Sequence, residues 1–136
     1  MTSFRIREAA ELLGVSDDTL RRWVDAGRIA AITDETGRQA VEGVEVARLA
    51  QEIAADSDLP QPGPVVLASA RNRFVGVVTR VVRDTVMAQV EIHSGPHRLV
   101  SLMSREAADD LGLEPGVLAI ASVKSTHVVV EKPEQP

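Results

Sequence analysis

Apolar positions recur with two different periods along this chain. Ala9, Ala10, Leu12 and Leu13 fall on one helical face within residues 7–13, and Gly14 ends that run. Ser16 is a suitable N-cap for a second helix, with Asp17 and Asp18 complementing the positive end of its dipole. That helix is predicted to run to about Ala26, where Gly27 stops it. Leu20, Trp23 and Val24 form its inner stripe, and Asp18, Arg21, Arg22 and Asp25 lie outside. Residues 29–32 and 39–41 are short apolar-biased segments around Thr33-Asp-Glu-Thr-Gly-Arg38, a hairpin with Gly37 in the positive-φ position. Val44, Val46, Ala47, Leu49, Ala50 and Ile53 then share the face of a third helix.

Beyond residue 64 the period shortens and valine dominates. Residues 74–83 and 86–93 read as strands joined near Asp84, residues 94–97 as a turn, and residues 98–103 as a third strand. Ser104 caps a short helix ending at Leu111, a turn follows from Gly112 to Gly116, and residues 117–123 and 127–130 supply two last strands. Five strands and one helix predict a small OB-like barrel. The stretch between the halves carries prolines at 60, 62 and 64 with Gly63, which neither a helix nor a sheet interior accepts. The expected class is therefore α+β multidomain: a helical unit at 1–55, a semi-rigid linker at 56–64 and a barrel at 65–136. A barrel of around seventy residues has a marginal core, which favours a dimer or a larger assembly.

Composition narrows the chemistry. The chain has 136 residues, no cysteine, three scattered histidines and 2% aromatics. Disulfides, thiolate metal sites and thiol catalysis are excluded, a structural zinc site is disfavoured, and base stacking on aromatics is not a workable binding mode. No apolar run reaches spanning length and no apolar signal core opens the chain, so a cytoplasmic protein without a membrane partner is expected. Net charge is -5. Residues 1–55 hold 7 arginines against 10 acids, and residues 64–136 balance 8 basic against 8 acidic side chains. Anion recognition must therefore rest on local placement. Neither a Gly-rich phosphate loop nor a Ser-His-Asp set is present, so no enzyme, nucleotide or metal-cation cofactor is expected.

Helix, short turn and helix with arginines outside is a helix-turn-helix pattern, although a plain helical hairpin with a solvated charged face has the same spacing. The hairpin and third helix extend it to a winged helix. The run Arg5-Ile-Arg-Glu-Ala-Ala-Glu-Leu-Leu-Gly-Val-Ser-Asp-Asp-Thr-Leu-Arg-Arg-Trp23, followed by Gly27-Arg28-Ile29, resembles the MerR/excisionase-type winged helix over about residues 4–54. The resemblance implies that the helix opened by Ser16 enters the major groove of double-stranded DNA. Ser16, Thr19, Arg21 and Arg22 are then the contacts on that helix, and Arg38 stands on the wing near phosphate or the minor groove. Wings of this kind often carry two or three consecutive basic residues, whereas Gln39 and Ala40 follow a single Arg38 here.

In the second half, hydroxyls and isolated cations gather at segment ends, the donor set a small oxyanion needs. Ser69-Ala-Arg-Asn-Arg-Phe-Val-Gly76, Ser104-x-x-Ala-x-x-x-Leu-Gly-Leu113, x-Pro-Gly116 and Val123-Lys-Ser-Thr-x-Val128 together resemble the molybdate-binding Mop domain, also called molbindin or TOBE, over about residues 67–131. That resemblance implies molybdate or tungstate held at a subunit interface of a homo-oligomer, a dimer or a multiple of dimers. Ser69, Ala70 and Arg71 would come from one side, with Ser104, Lys124 and Ser125 completing the shell. Ala107 stands where the family often has a hydroxyl. The combined expectation is a molybdate-responsive DNA-binding transcriptional regulator. The alternatives are a molybdate storage or buffer oligomer and an excisionase-like architectural DNA binder whose barrel only oligomerises.

Overall fold

The computed structural model describes residues 2–56 and 71–134. The chain divides into two compact units, Met1–Asp58 and Leu59–Pro136, and each is described by itself. The proline-bearing segment expected as a linker lies, apart from Asp56, outside the described residues.

The first unit runs β1 (Ser3–Arg5), α1 (Ile6–Leu13), α2 (Asp17–Asp25), β2 (Ile32–Thr33), β3 (Gln39–Glu42) and α3 (Gly43–Ala55). Gly14 ends α1 at φ 72, and its N–H reaches back to the carbonyls of Ala10 and Glu11. Ser16 caps α2, its hydroxyl oxygen accepting from the Thr19 amide at 3.1 Å. Gly37, at φ 81, turns β2 into β3, and Asp34 ties that loop by accepting from the Thr36 and Arg38 amides. Hydrogen bonding from the Thr36 side chain, above all, holds the Asp34 carboxyl below its ordinary range. β1 was not expected from the sequence. It pairs antiparallel with β3, Arg5 opposite Ala40, making a three-stranded sheet in the order β1-β3-β2.

Ile6, Ala9, Ala10, Leu13, Leu20, Ile29, Val41, Val46 and Leu49 form the core of this unit. Leu20 is wholly buried, so truncating it to Ala would cost about 2–5 kcal/mol. Four assignments by periodicity are corrected: Leu12, Val44, Ala47 and Ala50 are exposed. Leu12 is 63% and Val44 68% exposed. Ile6 takes an inner position on α1 and Val46, Leu49 and Ile53 line α3, because the 100° step turns Leu12, Val44, Ala47 and Ala50 off the narrow stripe that meets the core.

The second unit runs β4 (Asn72–Arg83), β5 (Met87–Ser94), β6 (His97–Ser104), α4 (Arg105–Asp110) and β7 (Leu118–Val123). All pairings are antiparallel, in the order β6-β5-β4-β7, and the sheet curls into a half-barrel. Gly95 at φ 57 makes the two-residue turn between β5 and β6, and β4 carries a bulge between Val78 and Arg80 that adds to its bend. Gly76 lies where β4 crosses β5. A Cβ there would collide with the His93 carbonyl oxygen and stand 2.8 Å from Ile92 Cγ2. Arg83 closes the far end of the strand, donating to Asp109 at 3.0 Å and to the Leu113 carbonyl at 2.8 Å.

The expected fifth strand is a correction. Residues 125–127 form a single 3-10 turn, and Val128, Val129 and Val130 make no sheet pairing among the described residues. Their exposures are 46, 83 and 86%. The apolar run promotes pairing, yet it does not reach either edge strand, β6 or β7, of the described sheet.

Candidate functional site

In the first unit, α2 presents a short relay. The Ser16 hydroxyl donates to Thr19 Oγ1 at 2.9 Å, and Arg22 Nη2 donates to the same oxygen at 3.1 Å. Spacing of three residues puts these groups on one face of α2, so the guanidinium of Arg22 is held in place before any ligand arrives. Arg21 points about 100° away around the helix. It borders a concavity of about 240 Å³ lined by Arg5, Ile6, Arg7, Arg21, Arg38 and Gln39. The five residues expected to meet DNA therefore split into two groups: Ser16, Thr19 and Arg22 are joined by hydrogen bonds, while Arg21 and Arg38 share the basic concavity.

Arg5 and Arg7 were missed by the sequence reading. Their signal was the pair of arginines flanking Ile6, where β1 ends at Arg5 and α1 begins. On the inner side, Arg28 lies 4.4 Å over the Trp23 ring and its carbonyl accepts from Arg48, which also bonds Glu45 and Glu52. That network braces α2 against α3.

In the second unit, Ser69 and Ala70 lie outside the described residues. Arg71 is exposed and immediately precedes β4. Asn72 pairs with Val123, its side-chain amide donating to the Val123 carbonyl at 3.2 Å. This register brings Arg71 beside Lys124 and Ser125, which open the 3-10 turn after β7. Both are exposed, and neither side chain has a hydrogen bond or ion pair among the described residues. Two cations and one hydroxyl thus gather where β4 begins.

Ser104 stands elsewhere. It pairs with Met87 beyond the other end of β4, and its hydroxyl caps α4 by accepting from the Ala107 amide at 3.1 Å. The concavity it borders contains Thr85, Val86, Arg105, Glu106, Asp109 and Asp110, but not Arg71, Lys124 or Ser125. Arg105 there is already paired with Asp109 at 3.6 Å. A dianion beside Ser104 would meet three carboxylates and need cations brought from outside.

A groove of about 500 Å³ opens between β6 and β7, lined mainly by apolar side chains including Leu99, Met103, Leu113, Ile120 and Val123. No cluster of three metal-ligating side chains occurs among the described residues, and no helix there is long and apolar enough to cross a membrane.

A helix-turn-helix unit joined to an open β half-barrel with anion donors at its strand ends is a binding architecture of two parts. Known proteins agree with this division. The model of the MerR family regulatory protein matches residues 5–38, and that of the TOBE domain matches residues 68–130. Molybdenum-pterin-binding protein 3 of Clostridium pasteurianum is 35% identical over 63 residues, 46% of this chain and 93% of that protein. The molybdenum transport protein ModE of Herbaspirillum seropedicae is 40% identical over 63 residues, and the chain spans only 23% of its length. A solved molybdate binding protein from Sporomusa ovata is 33% identical with a TM-score of 0.48, covering 49% of this chain and 100% of that one. The chain belongs to the TOBE domain family through its second unit and carries a MerR-family helix-turn-helix in its first.

Proposed function

We propose that this chain is a molybdate-responsive DNA-binding transcriptional regulator, with residues 1–55 reading DNA, 56–64 linking and 65–136 binding the oxyanion. The observation that carries the reading is the presence, in one chain, of a MerR-family helix-turn-helix and a TOBE domain whose relatives are named for molybdenum. Regulatory and binding families on both sides support a cytoplasmic non-enzyme that takes molybdate or tungstate as ligand and needs no cation or nucleotide.

On DNA, the helix capped by Ser16 lies in the major groove, Ser16, Thr19, Arg21 and Arg22 are its contacts, and Arg38 contacts the backbone from the wing. The molybdate shell is built from Ser69, Ala70, Arg71, Ser104, Lys124 and Ser125. In this reading the shell draws on two copies. Arg71 and Lys124 of one copy supply the charge and Ser125 a hydroxyl, and Ser104 of another copy supplies a second hydroxyl in otherwise acidic surroundings.

Two features support a homo-oligomer through the second unit. Val128, Val129 and Val130 are exposed and pair with no strand among the described residues, and the groove between β6 and β7 is largely apolar. The tail of one copy laid in the groove of another would satisfy both surfaces. Ligand bridging two copies favours one spacing of the two reading helices, which couples oxyanion occupancy to DNA affinity.

The test is calorimetric titration of the full chain with molybdate, then binding to DNA selected by the chain from a random library, with and without molybdate. Molybdate binding without DNA binding would leave the storage oligomer. DNA binding indifferent to molybdate would leave the architectural binder.

A further inference from the structure

The concavity bordered by four arginines lies apart from the Ser16–Thr19–Arg22 relay on α2. Arg5 ends β1, Arg7 lies in the first turn of α1, Arg21 lies on α2 and Arg38 enters β3. Four separate segments converge because β1 pairs with β3, setting Arg5 opposite Ala40 and therefore close to Arg38 on the wing. Gln39 and Ile6 complete the lining. All four arginines are exposed. Only Arg7 has an acidic partner among the described residues, Glu11 at 3.5 Å with both side chains largely in solvent. Asp34, the carboxylate that feels Arg5, is already occupied by Thr36 and the Arg38 amide.

The surrounding unit carries more acids than arginines. Self-repulsion among four guanidinium groups in a small concavity is unfavourable unless an anion is shared between them. Arginine forks match the oxygens of a phosphodiester, and convergence from helix, wing and strand suits a ligand that must be gripped from several directions.

Resting on the DNA-binding reading above, we propose that Arg5, Arg7, Arg21 and Arg38 form a clamp for the phosphodiester backbone of double-stranded DNA. The clamp fixes the register of α2 on the duplex, leaving Arg22, held by Thr19, to face the base edges. Arg21 is thereby a positioning group. The single basic residue of the wing is compensated by three arginines from outside it.

The experiment measures binding of the full chain to a duplex it selects from a random library and to an unselected duplex, over a range of salt. Arg5→Ala, Arg7→Ala, Arg21→Ala and Arg38→Ala are each expected to weaken both duplexes by a similar factor, roughly 3- to 10-fold, and to lower the salt slope by about 1. Arg22→Ala is expected to weaken the selected duplex much more than the unselected one. Melting temperatures establish that each variant is folded.

If the four variants bind as the wild type does while Arg22→Ala still discriminates less, the clamp is overturned and DNA reading stands. If the wild type binds neither duplex, both readings fall. Inorganic phosphate, compared with chloride at equal ionic strength, is expected to leave the melting temperature unchanged. Stabilisation by phosphate that vanishes in Arg21→Ala would assign the cluster to the free ion and overturn the clamp.

Discussion

Ser104 and Lys124 belong to opposite ends of β4: Ser104 pairs with Met87 beyond Arg83, whereas Lys124 follows Val123, the partner of Asn72. Along the strand between them lie all 12 residues of β4. A site that uses both is therefore most simply completed by two copies of the chain.

That arrangement is checked by mixing subunits. Ser104→Ala and Lys124→Ala homo-oligomers are each expected to lose most molybdate binding, and Arg80→Ala, on an exposed strand position, to keep it. A heterodimer of the two variants retains one site with both groups intact if the shell is shared between copies. Titration of the purified heterodimer should then show half the wild-type stoichiometry at wild-type affinity. No recovery at all would place both groups in the shell of a single chain.

Ligand linkage gives a second outcome. Molybdate and tungstate are expected to raise the melting temperature, by about 2.7 kcal/mol of stability per site at 100 times Kd if only the folded state binds. Sulfate, being smaller, is expected not to. An unchanged melting temperature at millimolar molybdate would remove the oxyanion reading.

Gly76 is a position where no side chain fits. Gly76→Ala forces the new methyl onto the His93 carbonyl and Ile92, and a shift of two paired backbones is the only relief. About 2–3 kcal/mol of destabilisation is expected, seen by calorimetry as a drop of roughly 10 °C or more. A variant melting within a degree or two of wild type would show that β4 and β5 can separate freely there.

The relay on α2 predicts a graded effect on DNA. Arg22→Ala is expected to cost roughly 1–3 kcal/mol of specific affinity if the guanidinium reads a base edge. Thr19→Val, which removes the oxygen that holds Arg22, should cost less while changing the same base preference. Preference shifts at different base pairs in the two variants would break the connection. Neither change should alter molybdate affinity measured without DNA.

Asp84 links stability to pH. Its carboxylate accepts from the Met87 and Val86 amides at 2.7 and 2.8 Å, and these bonds, Met87 first, hold its pKa below the ordinary 3.8. A depressed carboxyl stabilises the fold above the unfolded pKa and stops doing so as pH falls through the folded one. The melting-temperature gap between wild type and Asp84→Ala should thus be full at neutral pH and shrink below about pH 4. A gap of constant size down to pH 2.5 would count against the ionised turn.

The local elements of this protein were legible from its sequence because their causes are local. Gly14, Gly37 and Gly95 stop or turn the chain through their own φ values, Ser16 and Ser104 cap through bonds three residues long, and the change of apolar period separates the helical unit from the half-barrel. The likeness to MerR and TOBE sequences was legible for the same reason, since both rest on short contiguous motifs. What only the tertiary structure decided are relationships across long sequence separation. β1 pairing with β3 carries Arg5 to the wing, and the Asn72–Val123 register puts Arg71 beside Lys124 while leaving Ser104 at the other end of the strand. Periodicity also could not say which of two adjacent apolar residues faces inward, as Leu12 beside Leu13 and Ala47 beside Val46 show, nor that Val128, Val129 and Val130 pair with no strand among the described residues. A strand's propensity is written in its own residues, but its pairing depends on an edge that another part of the fold, or another copy of it, must supply.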